Sequence, residues 1–182
     1  MNEMSSTIRE ILVKASESYG TMDAVRYKVK REKGSGKKET AVEARTYREL
    51  REDSERFSAA LAALGEQGSH VAILGDSSYP WIVSYYGTVN SGSVAVPLDA
   101  NLPAEELCEL IDRSDASVLV YDKARAAVAE LAQEKCPKLK HRIATEPGAA
   151  AGELSEGTTA FETFLAWQEP GLSHSPKSDD LA

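Results

Sequence analysis

Apolar residues recur along the chain with two periods. Ile8, Ile11, Leu12 and Ala15 stand at helical spacing, and Gly20 closes that segment. The segment opens with Thr7-Ile8-Arg9-Glu10, a capping box in which a Thr and the Glu three positions on satisfy each other's free amides. Val25, Tyr27 and Val29 then alternate with Arg26, Lys28 and Lys30, which is strand period. A second strand is expected over about Thr40 to Ala44, with Lys33-Gly34-Ser35-Gly36-Lys37-Lys38 as a polar hairpin tip. A second capping box, Thr46-Tyr47-Arg48-Glu49, opens a long helix. Tyr47, Leu50, Ser54, Phe57, Leu61 and Leu64 share one face of it, broken only by Ser54, and Gly65 is placed as its C-terminal cap.

Beyond Gly65 short apolar runs alternate with helical patterns. Val71 to Leu74 suits a buried strand. Ser77 is the expected N-cap of the next helix, with Pro80 in its first turn. That helix carries Trp81, Ile82, Val83, Tyr85 and Val89 and ends around Asn90-Ser91-Gly92. Val94-Ala95-Val96 reads as a strand closed by Pro97. Pro103 starts a helix with Glu105 and Glu106 at its positive end and Leu107, Leu110 and Ile111 as its apolar face. Val118 to Tyr121 is a third buried strand, followed by a helix over Ala124 to Glu134 and a strand at Arg142-Ile143-Ala144. This alternation implies βαβ units: an α/β fold with a mainly parallel sheet flanked by helices, preceded by an N-terminal helix and a β-hairpin.

The expected organisation is helix plus hairpin over 1–45, an α/β core over 46–145, and a loop, short helix and connector over 146–182. Pro147 to Thr158 reads as loop, Phe161, Phe164, Leu165 and Trp167 as one short helix, and Pro170 to Ala182 as a polar connector. A compact domain seldom ends on such a segment, so the chain is expected to be cut from a larger protein.

Composition narrows the class. A net charge of -8, with 42% hydrophobic and 27% charged residues, is ordinary for a globular domain and argues against nucleic acid as a partner. No apolar run approaches the roughly 18 residues of a membrane span, and Met1 to Glu10 lacks a signal-peptide core. Cys108 and Cys136 show no CxxC spacing, so reduced thiols in a cytoplasmic protein are expected.

Gly36-Lys37 is followed by Lys38 and preceded five positions earlier by Arg31, so a Walker loop fails twice; no G-x-G-x-x-G follows a strand. The basic residues Lys28, Lys30, Arg31, Lys33, Lys37 and Lys38 read as a solvated hairpin, with an anionic lipid surface or ligand phosphate as the alternative. His70, His141 and His174 have no Cys, Asp or Glu at ligand spacing, no Ser stands in a G-x-S-x-G elbow, and neither Cys has a nearby His. Glu105-Glu106 and Asp179-Asp180 are sequence neighbours that face apart, suited to a helix start and a solvated tail. Trp81, Tyr85 and Tyr86 suit packing on the sheet, with the wall of an acyl pocket as the alternative.

One block is more specific. The helix from Thr46-Tyr47-Arg48-Glu49-Leu50 to Leu61-Ala62-Ala63-Leu64-Gly65 is followed by Gly68, Val71-Ala72-Ile73 and Tyr79-Pro80-Trp81. Gly92-Ser93-Val94-Ala95-Val96-Pro97-Leu98-Asp99 and Leu102-Pro103-Ala104-Glu105-Glu106 come next. In order and spacing this resembles the N-terminal region of the acyl-adenylate-forming ligases, which include acyl-CoA synthetases, peptide-synthetase adenylation domains and luciferases. The Val-Pro-Leu-Asp, Leu-Pro and Trp-Ile-Val-Ser-Tyr elements look most like the long-chain fatty acid–CoA ligase branch. Ser69 and Ser77 depart from the family's usual Asp and Asn, at turn or cap positions where Ser can serve.

The resemblance implies a parent enzyme that uses ATP, Mg²⁺ and CoA to activate a fatty acid. Its phosphate loop, metal and adenine motifs and catalytic lysine would follow Ala182. No residue here matches them, so none is assigned as catalytic, cofactor-binding or metal-binding, and the 182 residues alone are expected to be inactive and to bind none of these cofactors tightly. Fatty acid, ATP and CoA are the implied partners, without nucleic acid or a transmembrane segment and with peripheral membrane contact open. A stand-alone α/β binding module and a peptide-synthetase adenylation domain are the alternatives.

Overall fold

Both capping boxes form. Thr7 Oγ1 accepts from the Glu10 amide at 3.1 Å and Glu10 Oε2 accepts from the Thr7 amide at 3.2 Å, opening α1 (Ile8–Tyr19). Thr46 and Glu49 repeat the exchange at 3.2 and 2.7 Å, opening α2 (Tyr47–Ala63). These contacts come from a computed structural model, which describes residues 7–33, 37–146 and 154–167.

Between the two helices lies an antiparallel hairpin of β1 (Asp23–Lys33) and β2 (Lys37–Thr46), in constant register from Val25 opposite Arg45 to Lys33 opposite Lys37, with a register shift between Val25 and Asp23, which faces Thr46. Both strands run further than the sequence pattern suggests: Lys33, Lys37 and Lys38, expected in the tip, are strand positions. The period of two sends Val25 and Tyr27 onto the core and leaves Arg26, Lys28 and Val42 on the outer face.

The remaining described strands form one parallel sheet in the order β4-β3-β5-β6-β7. They are β3 (His70–Leu74), β4 (Val94–Leu98), β5 (Ala116–Tyr121), β6 (His141–Ala144) and β7 (Thr158–Ala160). Parallel neighbours need crossovers. These contain α3 (Tyr79–Asn90), α4 (Ala104–Arg113) and α5 (Ala126–Lys135), while α6 (Phe161–Leu165) follows β7. Alternate strand residues supply two cores. Val71, Ile73, Val118, Val120 and Ile143 pack with α1, α2, α3 and α6, whereas Ala72, Leu74, Leu119, Tyr121 and Ala144 pack with α4 and α5. The α/β class, the parallel sheet and the leading helix and hairpin are therefore as the sequence implies.

Phe57 and Leu61 of α2 are fully buried, which contributes about 1.5–3 kcal/mol each. Ser54, the break in their stripe, is also fully buried, and its hydroxyl donates to the Leu50 carbonyl at 2.7 Å. A helix turn thus satisfies the one polar group on that face. Gly65 follows α2 at φ +73°, the left-handed conformation that a residue without Cβ adopts freely.

Several expectations need correction. The N-cap of α3 is Ser78, not Ser77: its Oγ accepts from the Trp81 amide at 3.3 Å, three residues on, the reach a capping side chain has. The strand expected to close at Pro97 continues to Leu98, with Pro97 opposite Ile73; β4 is an edge strand, where a residue lacking N–H is tolerated. Ile11 and Leu110 are exposed, and Ser16 and Cys108 take the inward positions instead. Ala124 lies in a single 3-10 turn, Lys123–Arg125, and α5 begins after it. Thr158, read as the end of a loop, begins β7, which pairs with β6. The expected helix at Phe161 is present as α6, with Phe161 and Phe164 buried. Residues 147–153 and 168–182 lie outside the described residues, and with them His174, Asp179-Asp180 and the connector. Among the described residues no helix is long and apolar enough to cross a membrane.

Candidate functional site

The strand order points to one edge of the sheet. The chain leaves β3 toward β4 on one side and leaves β5 toward β6 on the other. The carboxyl ends of β3 and β5 therefore splay their connections apart, and open α/β sheets bind ligands at such a switch point. Here it lies between Leu74-Gly75-Asp76 and Tyr121-Asp122.

In this chain the edge is tied shut. The Asp122 carboxylate accepts from the Asp76 amide at 2.9 Å and from Arg125 Nη1 at 3.0 Å. Arg125 Nη2 reaches Asp76 Oδ1 at 3.0 Å and the Ala100 carbonyl at 3.4 Å. One guanidinium thus joins the segments after β3, β4 and β5. Burial works against the charge on Arg125, but Asp122 and Asp76 outweigh it and raise its pKa. Asp122 packs so closely on Gly75 that a Cβ there would stand 2.8 Å from Oδ2, so only glycine fits without movement. Beneath lies a void of about 10 Å³ against Trp81, Val120 and Thr145, room for at most a water. Glu146 borders this edge. Burial raises its pKa, the Lys123 amide opposes that rise, and the Asp122 charge adds to it. These groups brace loops; none is paired as nucleophile and base.

The opposite edge of the sheet carries a second polar cluster. Glu66 has a 6% exposed side chain. Its carboxylate accepts from the Ser117 hydroxyl at 2.5 Å and from Lys140 Nζ at 2.9 Å, with His141 Nε2 at 3.7 Å. Burial alone would raise the Glu66 carboxyl, but the Ser117 and Lys140 bonds hold it below the usual carboxylate value. No local sequence signal marks this cluster, because its partners are 51 and 74 positions away. A cleft of about 410 Å³ between α1 and α2 is lined by both signs of charge: Ser16, Glu17, Arg48, Arg51, Glu52 and Glu55.

The candidates noted from sequence fall in separate places. His70 Nδ1 contacts the Ser114 carbonyl and His141 neighbours Glu66. Cys108 and Cys136 are free and buried, with Cys136 Sγ donating to the Cys108 carbonyl at 3.4 Å. Glu105 and Glu106 stand exposed in the first turn of α4. Trp81 and Tyr85 stack at 5.9 Å, with Tyr86 edge-on to Tyr85, and all three pack against the core. Among the described residues no group of three or more His, Cys, Asp or Glu is placed to hold a metal ion.

The family model described as AMP-binding enzyme matches residues 25–182. Surfactin synthase subunit 1 of Bacillus subtilis is 35% identical over 94 residues, 51% of this chain and 3% of that protein. The long-chain-fatty-acid–CoA ligase FadD13 of Mycobacterium tuberculosis is 32% identical over 84 residues, 46% of this chain and 17% of that protein. The crystal structure of the anthranilate CoA ligase AuaEII with anthranoyl-AMP superposes with a TM-score of 0.75 at 21% identity, over 96% of this chain and 31% of that one. The chain thus spans less than a third of each of these proteins.

Proposed function

The chain belongs to the AMP-binding enzyme family, and from that premise we propose that it is the N-terminal scaffold of a long-chain fatty acid–CoA ligase. In the proposed reaction a fatty carboxylate oxygen attacks the α-phosphorus of ATP and pyrophosphate leaves, giving an acyl-adenylate. The thiol of CoA then attacks the acyl carbon and AMP leaves. Magnesium, when bound, would neutralise charge on the phosphates.

The family match over residues 25–182 carries the adenylate-forming part of this reading. The finer assignment is supported by Val96-Pro97-Leu98-Asp99 followed by Leu102-Pro103, and by the likeness to a long-chain-fatty-acid–CoA ligase. The two buried free cysteines fit a reducing, cytoplasmic setting. Within the parent, the residues described here would hold loops in place: Arg125 ties three strand ends together and Gly75 lets Asp122 close over them.

The match to a surfactin synthase subunit favours one second reading, an adenylation domain that loads a peptide-synthetase carrier. ATP–pyrophosphate exchange by the whole protein separates the two. Exchange stimulated by fatty acids, with thioester formed on free CoA, supports the ligase. Exchange stimulated only by amino acids overturns it. The 182-residue chain assayed alongside is expected to show no exchange; activity there would refute its role as scaffold only.

A further inference from the structure

Charge is divided unevenly along this chain. Residues 23–46, the β1–β2 hairpin, hold eight basic and four acidic side chains, a formal +4. Since the whole chain carries -8, the rest carries -12. The hairpin's two faces also differ. Tyr27 stacks on Tyr79 at 5.9 Å and Val25 packs on the core, so their face is the inner one. On the outer face Arg26 has a 73% exposed side chain, and Lys28 and Thr40 are exposed. Val42 stands directly across from Lys28 with 67% of its surface open. Arg26 is paired locally with Asp23, whereas no described acidic group bonds Lys28.

We infer that this outer hairpin face is a docking surface for an anionic lipid bilayer. A basic ribbon on an acidic body orients the molecule: the ribbon is drawn to a negative surface while the body is pushed away, so approach is hairpin-first. Val42 selects lipid over other polyanions. An apolar side chain amid cations gains little against a phosphate backbone, but at a bilayer it enters the headgroup boundary while Lys28 keeps its ammonium among the headgroups. The surface is small, so binding is weak, reversible and salt-sensitive.

The test is flotation of the full chain with phosphatidylcholine vesicles, with and without phosphatidylserine, at low and high salt. Flotation is expected only with phosphatidylserine at low salt. Lys28→Ala is expected to weaken association about fivefold, the effect of one basic residue near an anionic surface. Arg26→Ala/Lys28→Ala weakens it further, and Val42→Ser also lowers it. Lys135→Ala, which removes an exposed charge on α5, leaves it unchanged. Circular dichroism checks each variant's fold, and Lys28→Gln replaces any that fails. Four outcomes overturn the inference: no flotation, equal flotation with phosphatidylcholine alone, equal loss in Lys135→Ala, or release by heparin together with no effect of Val42→Ser.

Discussion

Gly87 of α3 lies directly against the Phe57 side chain of α2: a Cβ at Gly87 would stand 2.6 Å from Phe57 Cβ and 2.7 Å from Cδ1. The two helices meet backbone to ring. Gly87→Ala would ordinarily favour an α-helix by about 1 kcal/mol. Here the overlap wins, because Phe57 is fully buried and has nowhere to move. The expected result is a net loss of up to about 2 kcal/mol in denaturant unfolding, since overpacking costs about 1–3 kcal/mol against that gain.

Glu66 makes stability depend on pH. Its carboxyl is held below its ordinary value of 4.5 in the folded chain, so the unfolded chain binds the proton more readily. The stabilisation is present above about pH 4.5 and is lost as pH falls through the lower folded value. Glu66→Gln is expected to cost about 1–3 kcal/mol at neutral pH. The gap between variant and parent should shrink in acid, as read from urea midpoints across pH. A gap that does not change with pH would contradict the assignment.

Thr46 ends the hairpin and starts α2. Removing its hydroxyl leaves the Glu49 amide without its cap, and Thr46→Ala is expected to cost about 1 kcal/mol. The Glu49 carboxylate, held low chiefly by its bond from the Thr46 amide, sits in the same box. Thr46→Ala and Glu49→Ala should therefore be non-additive in a double-mutant cycle.

Burial pushes the Cys136 thiol up to about 11 and raises that of Cys108 as well. Both should resist a thiol reagent at mildly alkaline pH while the chain is folded, and both should react promptly in denaturant. Reaction of either at the rate of a free thiol in the folded chain would contradict the packing of α4 on α5.

The legible features were those whose signal is local. A capping box needs only Thr and Glu three apart, and both boxes formed at Thr7 and Thr46. The Ser78 cap was missed by one residue because Ser77 and Ser78 are chemically alike and only the start of the helix distinguishes them. β7 was missed because three residues, Thr158 to Ala160, are too few to show a period; pairing with β6 makes them a strand. No local signal could join Asp122 to Asp76 or Glu66 to Lys140.

The sequence by itself determined the helices, the strands other than β7, their alternation and the family block from Thr46 to Glu106, because helix caps, strand period and Gly and Pro positions act within a few residues. The tertiary structure alone decided the strand order β4-β3-β5-β6-β7, the inward turn of Ser16 and Cys108 in place of Ile11 and Leu110, and the closing of the switch-point edge by Arg125. Those outcomes depend on which distant surfaces bury one another, and burial is a property of the whole packed chain.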